Sequence, residues 1–175
     1  MDWWLRLFRH AWGDARDSLR AVPDGMADRL AGYITASERR HSGEIRICVE
    51  AALPLSYLWR ARGRTPVAAV VRQRAMAWFG RLRIWDTEQN NGVLIYLLLS
   101  EHAIELVADR AICRVVDPGE WEAIVERLGR QLGAGDFEAG LTAALEEVSA
   151  LLVRHFPADR TALSDNELPD TVVRV

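Results

Sequence analysis

The sequence predicts an α/β protein: a three-layer α/β/α sandwich around a small mixed sheet of three or four strands, with additional helices at the N-terminus. Three observations carry this prediction. Residues 44–51 alternate apolar and polar, residues 93–99 are apolar without a break, and helical patterns precede, separate and follow these segments. A strand, a helix and a second strand form a right-handed parallel unit, and the short segment 100–102 returns the chain antiparallel. The expected strand order is therefore first, central, third, with helices on both faces.

The N-terminal part of the chain is predicted to be helical. Apolar side chains recur at helical spacing over residues 3–20, and Val22-Pro23-Asp24 ends that pattern before a second helix over residues 24–41. We expect three parts: an amphipathic N-terminal helix over 1–22, the α/β/α domain over 23–157, and a C-terminal tail over 158–175.

The remaining elements follow from local signals. The connector 53–63 has room for a short helix, and Thr65-Pro66 is a typical start for a helix that ends near residue 82. A loop of turn-forming residues over 86–92 leads into the central strand, and residues 103–108 alternate as a third strand. The last two helices begin after Asp117, which forms a capping box with Glu120, and after Asp136, and they end near Gly133 and Pro157.

Composition narrows the class of protein. Half of the 175 residues are apolar and 27% are charged, which fits one globular domain and excludes a disordered or fibrous chain. All 22 basic residues are arginine, and the net charge of −3 argues against nucleic acid as a partner. Two cysteines build no disulfide framework, and no apolar run is long enough for a membrane span. The N-terminus also lacks the uninterrupted apolar stretch of a signal peptide, so we expect a cytoplasmic protein.

Polar side chains are predicted to gather at one end of the sheet. The first and central strands begin there, and the third strand, which is antiparallel to the central one, ends there. Carboxylate and amide oxygens in such a cluster suit Ca²⁺ or Mg²⁺. The same residues also suit ordinary turns and an Asp109–Arg110 salt bridge, so both interpretations stay open. The candidate ligands are His41, Glu44, Asp86, Glu88, Asn90, Asn91, Asp109 and Arg110.

Two further segments are candidates for contact with a membrane or a partner. Tryptophan beside arginine near the N-terminus suits a membrane interface. Packing on the domain core is the favoured interpretation, and contact with a partner or a second copy is a third. The arginines of residues 60–83 form either a solvated face or a patch for anionic lipid or an acidic partner. The N-terminal candidates are Trp3, Trp4, Phe8 and Trp12.

Sequence motifs give no direct indication of an enzyme. The chain has no G-x-S-x-G elbow, no P-loop and no G-x-G-x-x-G. Four histidines show no H-x-x-x-H spacing, and two cysteines cannot build a zinc site alone. Glu38 and His41, three residues apart on a predicted helix, are expected to form a surface pair.

Three segments together resemble the TPM domain family. They are residues 37–46 (SERRHSGEIR), residues 85–96 (WDTEQNNGVLIY) and residues 136–140 (DFEAG), and the resemblance extends over residues 24–157. The first segment matches a short bacterial branch best. In this chain Asn90 stands where the family usually has aspartate, and the glycine-rich stretch that usually follows the third strand is replaced by residues 108–112.

The resemblance implies an α/β/α sandwich, Ca²⁺ or Mg²⁺ binding, and weak acid phosphatase activity in some members. Bacterial members are often membrane-anchored and encoded beside LemA-type proteins. We therefore expect a non-enzymatic accessory domain that binds a protein partner, of the LemA type or another membrane protein, at the inner face of the membrane. Its role would be in membrane-protein or envelope maintenance. The alternative is a weak divalent-metal-dependent phosphatase, which a nucleophile or a two-metal cluster would favour.

Overall fold

The computed structural model describes residues 15–61, 65–158, 169 and 171–175. Among these residues, pairs of helices precede the first and second strands, and three helices follow the third strand. A short 3₁₀ turn, Leu99–Glu101, joins the second strand to the third. The described elements, in chain order, are α1 (Ala15–Ala21), α2 (Asp24–Glu38), β1 (Ile45–Glu50), α3 (Leu55–Ala61), α4 (Val67–Arg81), β2 (Val93–Leu98), β3 (Ala103–Ala108), α5 (Arg110–Val115), α6 (Pro118–Gly133), α7 (Phe137–His155) and β4 (Val173–Arg174).

The four strands form one mixed sheet in the order β3-β2-β1-β4. β1 and β2 are parallel, with Ile45 opposite Val93. β2 and β3 are antiparallel, with Val93 opposite Ala108. The predicted order of the first three strands is therefore confirmed, and β4 adds a fourth strand beside β1.

Helices cover both faces of the sheet and make two hydrophobic cores. One core joins Ile47 and Ile95 to α2, α6 and α7. The other joins Leu94 and Tyr96 to α3 and α4. Every residue of β2 is buried, as expected for a strand that is apolar on both sides, and Leu97 is only 1% exposed. The predicted three-layer sandwich is confirmed.

The C-terminus departs from the predicted tail. Val173 pairs with Cys48 in parallel register, and Val175 N donates to Val49 O at 3.0 Å. Arg174 Nη1 also donates to Asp24 Oδ1 at 2.8 Å, which fastens this end to the start of α2. Residues 172–175 therefore belong to the α/β/α domain. β4 is only two residues long and pairs with a distant strand, so the local sequence gives no indication that it is a strand.

Two local expectations need correction, and one helix has no counterpart among the predicted elements. α5 was not expected, because residues 110–115 carry no clear helical pattern of their own. Asp117 does cap α6 by accepting from Gly119 N at 2.7 Å, but Glu120 accepts from Arg154 on α7 at 2.9 Å and completes no capping box. The side chain of Asp136 makes no capping hydrogen bond to α7.

Two features of the described residues bear on location. None of their helices is long and apolar enough to cross a membrane. The cysteines are free, Cys48 buried and Cys113 exposed. Trp3, Trp4, Phe8 and Trp12 lie outside the described residues.

Candidate functional site

The predicted site lies where β1 and β2 begin and β3 ends. Val93 N donates to Glu44 O at 2.8 Å, and Asp109 N donates to Gly92 O at 2.9 Å. These two backbone bonds set Glu44, Gly92 and Asp109 in one row across the sheet end. Strand register places these three residues side by side, because each is adjacent in sequence to one of the paired residues Ile45, Val93 and Ala108.

His41 lies buried beside this row. It is 1% exposed and bridges to Pro157, just beyond α7. Its Nδ1 donates to Gly43 O at 2.9 Å, because a carbonyl oxygen can only accept. Burial lowers the pKa of His41 to about 4, so the ring is neutral near pH 7 and its Nε2 is a hydrogen-bond acceptor. The expected surface pair with Glu38 is wrong, because Glu38 Oε1 instead accepts from Ile45 N at 3.1 Å.

A chain of side-chain hydrogen bonds joins the turn after α2 to the loop before β2. Asn91 Nδ2 donates to Ser42 Oγ at 3.1 Å, and Ser42 Oγ donates to Gln89 Oε1 at 2.9 Å. Asn91 N is held by Thr87 Oγ1 at 3.2 Å. Ser42, Thr87 and Gln89 were not predicted as site residues, and their only sequence signal is their position in turn-forming segments.

Asn90 and Arg110 form a second contact at the other side of the row. Asn90 has a left-handed backbone with φ of 51°, a conformation that asparagine tolerates better than most residues. Arg110 Nη2 donates to Asn90 Oδ1 at 2.6 Å, and Asn90 O accepts from Ala111 N at 3.0 Å. Asn90 thus ties the loop before β2 to α5. The asparagine that departs from the family pattern has a structural use here.

Asp109 begins α5 as its N-terminal cap. Its Oδ1 accepts from Arg110 N, while the side chain of Arg110 reaches Asn90. Among the described residues, no Asp109–Arg110 salt bridge is formed. Asp86 and Glu88 are exposed in the loop before β2.

Buried polar atoms with no hydrogen-bond partner among the described residues occur at several predicted site residues. They include His41 Nε2, Asn91 Oδ1 and Asp109 Oδ2. Buried polar atoms are rarely left unsatisfied, so a water, an ion or a ligand is the ordinary explanation for such a group. These unpartnered atoms are the observation that best supports a bound water, ion or ligand at the sheet end.

The fit to a metal ion is limited. Within residues 15–61, 65–158, 169 and 171–175, no three His, Cys, Asp or Glu side chains lie close enough to hold a metal. Ca²⁺ takes six to eight oxygen ligands, which this donor set does not supply. Mg²⁺ retains several waters and is often bound through one or two carboxylates, so it needs fewer protein ligands than Ca²⁺.

A different recess lies at the opposite end of the sheet. Its volume is about 330 Å³, and it opens beside the 3₁₀ turn, between β3 and the C-terminal end of α6. Its walls are mostly apolar. They include Leu97, Leu99, Ile104, Leu132, Gly133 and Phe137.

Comparison with known proteins defines the family. The TPM domain profile matches residues 19–151, most of the chain. The protein belongs to the TPM domain family, as the three sequence segments indicated.

One solved structure shares the fold over most of both chains. It is the NMR structure of the BA42 protein from the psychrophilic bacterium Bizionia argentinensis, with a TM-score of 0.71 and 26% sequence identity. The match covers 87% of this chain and 94% of BA42. No curated protein matches the sequence.

Proposed function

We propose that this TPM domain is a non-enzymatic accessory domain that binds a protein partner at the inner face of the membrane. The family resemblance supports a role in membrane-protein or envelope maintenance, with a LemA-type or other membrane protein as the partner. The observation that carries partner binding is the apolar recess between β3 and α6.

The recess suits a protein side chain better than a reacting substrate. Leu97, Leu99 and Ile104 form one side, and Leu132 and Phe137 form another. Large apolar side chains that anchor an interface are typically buried in pockets of this kind. The recess also lies beside β3, which is an edge strand of the sheet.

A matched pair of glycine substitutions tests the recess. Gly133 lines it, and nothing lies within 4 Å of a Cβ built at this position. Gly32, on α2 and away from the recess, has the same open surroundings. Leucine is the better helix former at both positions, so neither change should lower stability.

The experiment is capture of proteins from detergent-solubilised membranes on the tagged full chain. A specific partner should bind the original protein and Gly32→Leu equally, and its binding to Gly133→Leu should fall by at least about tenfold, because the introduced side chain occupies the recess. Equal capture by all three proteins would remove the recess as the binding site.

A second candidate rests on the sheet end. We infer that Mg²⁺ carrying water, or another polar ligand, binds beside Glu44 and Asp109. The buried unsatisfied atoms of His41, Asn91 and Asp109 support this inference. The alternative function, a weak divalent-metal-dependent phosphatase, depends on the same cation, so a cation-binding measurement bears on both.

A further inference from the structure

One helical layer of the sandwich comes from a segment without acidic residues. Residues 51–85 contain seven arginines and none of the 25 acidic residues of the chain. The segment includes α3 and α4, which together cover one face of the sheet. We call α3, α4 and the following Trp85 the basic layer. The opposite layer includes α6 and α7, whose sequences carry six glutamates and three arginines, so the two layers differ in the sign of their net charge.

Some arginines of the basic layer are already used inside the protein. Arg74 pairs with buried Glu50, and Arg72 donates to Glu105 Oε2 at 3.1 Å and to Leu106 O at 2.6 Å. These contacts hold α4 against the sheet. Of the described arginines of the segment, Arg60, Arg81 and Arg83 remain exposed at the outer surface.

Arg60 and Arg81 are exposed at the ends of α3 and α4. Arg60 lies over the ring of Tyr57 at 4.7 Å, and Arg81 lies over the ring of Trp78 at 5.1 Å. In the part of the chain that the structure describes, neither guanidinium is paired with a carboxylate. Stacking on an aromatic ring positions a guanidinium without neutralising it, so both charges remain available.

Large apolar side chains lie exposed among these arginines. Leu55 and Trp59, one helical turn apart on the outer side of α3, are 58% and 61% exposed. Met76 on α4 is 49% exposed. Trp85 is 52% exposed, and its indole donates to Gly80 O at 3.4 Å, at the end of α4. Exposed indoles beside guanidinium groups are typical of surfaces that lie at a membrane interface.

We propose that the outer surface of the basic layer docks on an anionic phospholipid bilayer. Headgroup phosphates accept hydrogen bonds from Arg60 and Arg81, while Trp59 and Trp85 enter the region between headgroups and acyl chains. The opposite layer, in which glutamates outnumber arginines on α6 and α7, is repelled by the same lipid surface, which orients the domain with α3 and α4 toward the lipid. This docking uses neither the recess nor the sheet end, so it stands independently of the proposed partner.

An anionic bilayer suits this surface better than an acidic protein does. The charges and apolar side chains are spread over two helices and the turn after them, and a fluid interface adapts to such a distribution without a matching shape. The depth of insertion required is only that of one side chain. An acidic protein partner is the occupant that the test below distinguishes.

The test is co-sedimentation of the full chain with vesicles of phosphatidylcholine, with and without 30% phosphatidylglycerol. The test variant is Arg60→Glu with Arg81→Glu. The control is Arg39→Glu with Arg114→Glu, which changes net charge equally at two other exposed helix ends, the end of α2 and the last turn of α5. A second test variant, Trp59→Ala with Trp85→Ala, removes the indoles without changing charge. Melting curves check that every variant folds.

The expected result is binding to anionic vesicles only, weaker in high salt. Reversal of Arg60 and Arg81 should weaken it by more than about tenfold, the control should stay within about threefold, and loss of the indoles should weaken it by several-fold. No sedimentation with anionic vesicles at low salt would overturn the proposal and leave the surface for an acidic protein. Full binding by the arginine variant, with loss only in Trp3→Ala/Trp4→Ala, would also overturn it.

Discussion

Arg74 and Glu50 form a buried ion pair that fastens α4 to the carboxyl end of β1. Arg74 Nε donates to Glu50 Oε2 at 2.9 Å, and a second guanidinium nitrogen reaches Oε1. Trp78 Nε1 and Tyr96 Oη also donate to Oε2, at 3.0 and 2.6 Å. Glu50 is 4% exposed and satisfied by three different side chains, so a charged residue holds one helical layer in position.

Removal of Glu50 should destabilise the fold strongly. Glu50→Ala leaves the Arg74 guanidinium without its counter-charge and leaves Trp78 Nε1 and Tyr96 Oη without an acceptor. The free energy of unfolding should therefore fall by about 3 kcal/mol or more, as measured by urea denaturation. The control is Glu147→Ala, which breaks an exposed pair with Arg127 and should cost less than about 1 kcal/mol. Similar losses in the two variants would contradict a structural role for the buried pair.

His41 should make stability depend on pH. Its pKa is about 4 in the folded protein and about 6.5 when unfolded, so between these values the unfolded chain binds the additional proton. The stabilising contribution of neutral, buried His41 is therefore lost as pH falls from about 6.5 to 4. The free energy of unfolding should decrease by up to about 3 kcal/mol over this range. Denaturation at pH 7 and pH 4.5 measures most of this difference.

Two asparagine variants isolate the contribution of His41. His41→Asn keeps a donor for Gly43 O but does not titrate, so its stability should fall less over the same pH range. His102, exposed and in a left-handed conformation that asparagine tolerates, supplies the control His102→Asn. If His41→Asn shows the same pH dependence as the original protein, carboxylate protonation alone accounts for it.

Gly92 is required by close backbone contact at the sheet end. A Cβ at Gly92 would lie 2.1 Å from Ile84 O, so Gly92→Ala should cost about 3 kcal/mol by forcing the loop away from β2. Gly32→Ala, in open surroundings on α2, should instead stabilise by up to about 1 kcal/mol. Thermal denaturation of both variants compares them directly, and a stable Gly92→Ala protein would refute the contact.

A divalent cation should stabilise the protein if it binds at the sheet end. Mg²⁺ at a hundred times its Kd would add about 2.7 kcal/mol by mass action and raise the melting temperature. Glu44→Gln with Asp109→Asn should remove this increase while preserving the α5 cap, because asparagine also caps helices well. No change with millimolar Mg²⁺ or Ca²⁺ would exclude the cation and, with it, the metal-dependent phosphatase.

The sequence predicted the central sheet because its signals are local. The side chains of the unbroken apolar run before Leu99 must be buried on both faces of the sheet, which requires helices on both sides. The connection from this run to β3 is so short that β3 has to be antiparallel. Asp117 and Pro118 likewise fix the start of α6 within a few residues. Strand order and register then bring Glu44 and Asp109 to the same end of the sheet.

Only the tertiary structure decided which polar side chains are buried and which hydrogen-bond or charge partners they have. Alternation in β1 left Arg46 and Glu50 on an apparently polar face, yet both are buried, because Arg74 and the carbonyl of Pro169 come from distant parts of the chain to meet them. His41 is buried by a contact with Pro157, and β4 forms by pairing across more than a hundred residues. Hydrophobic periodicity reflects only residues that are close in sequence, so it does not reveal partners from distant parts of the chain. The free energy of a buried charge depends on partners that only the folded chain brings together.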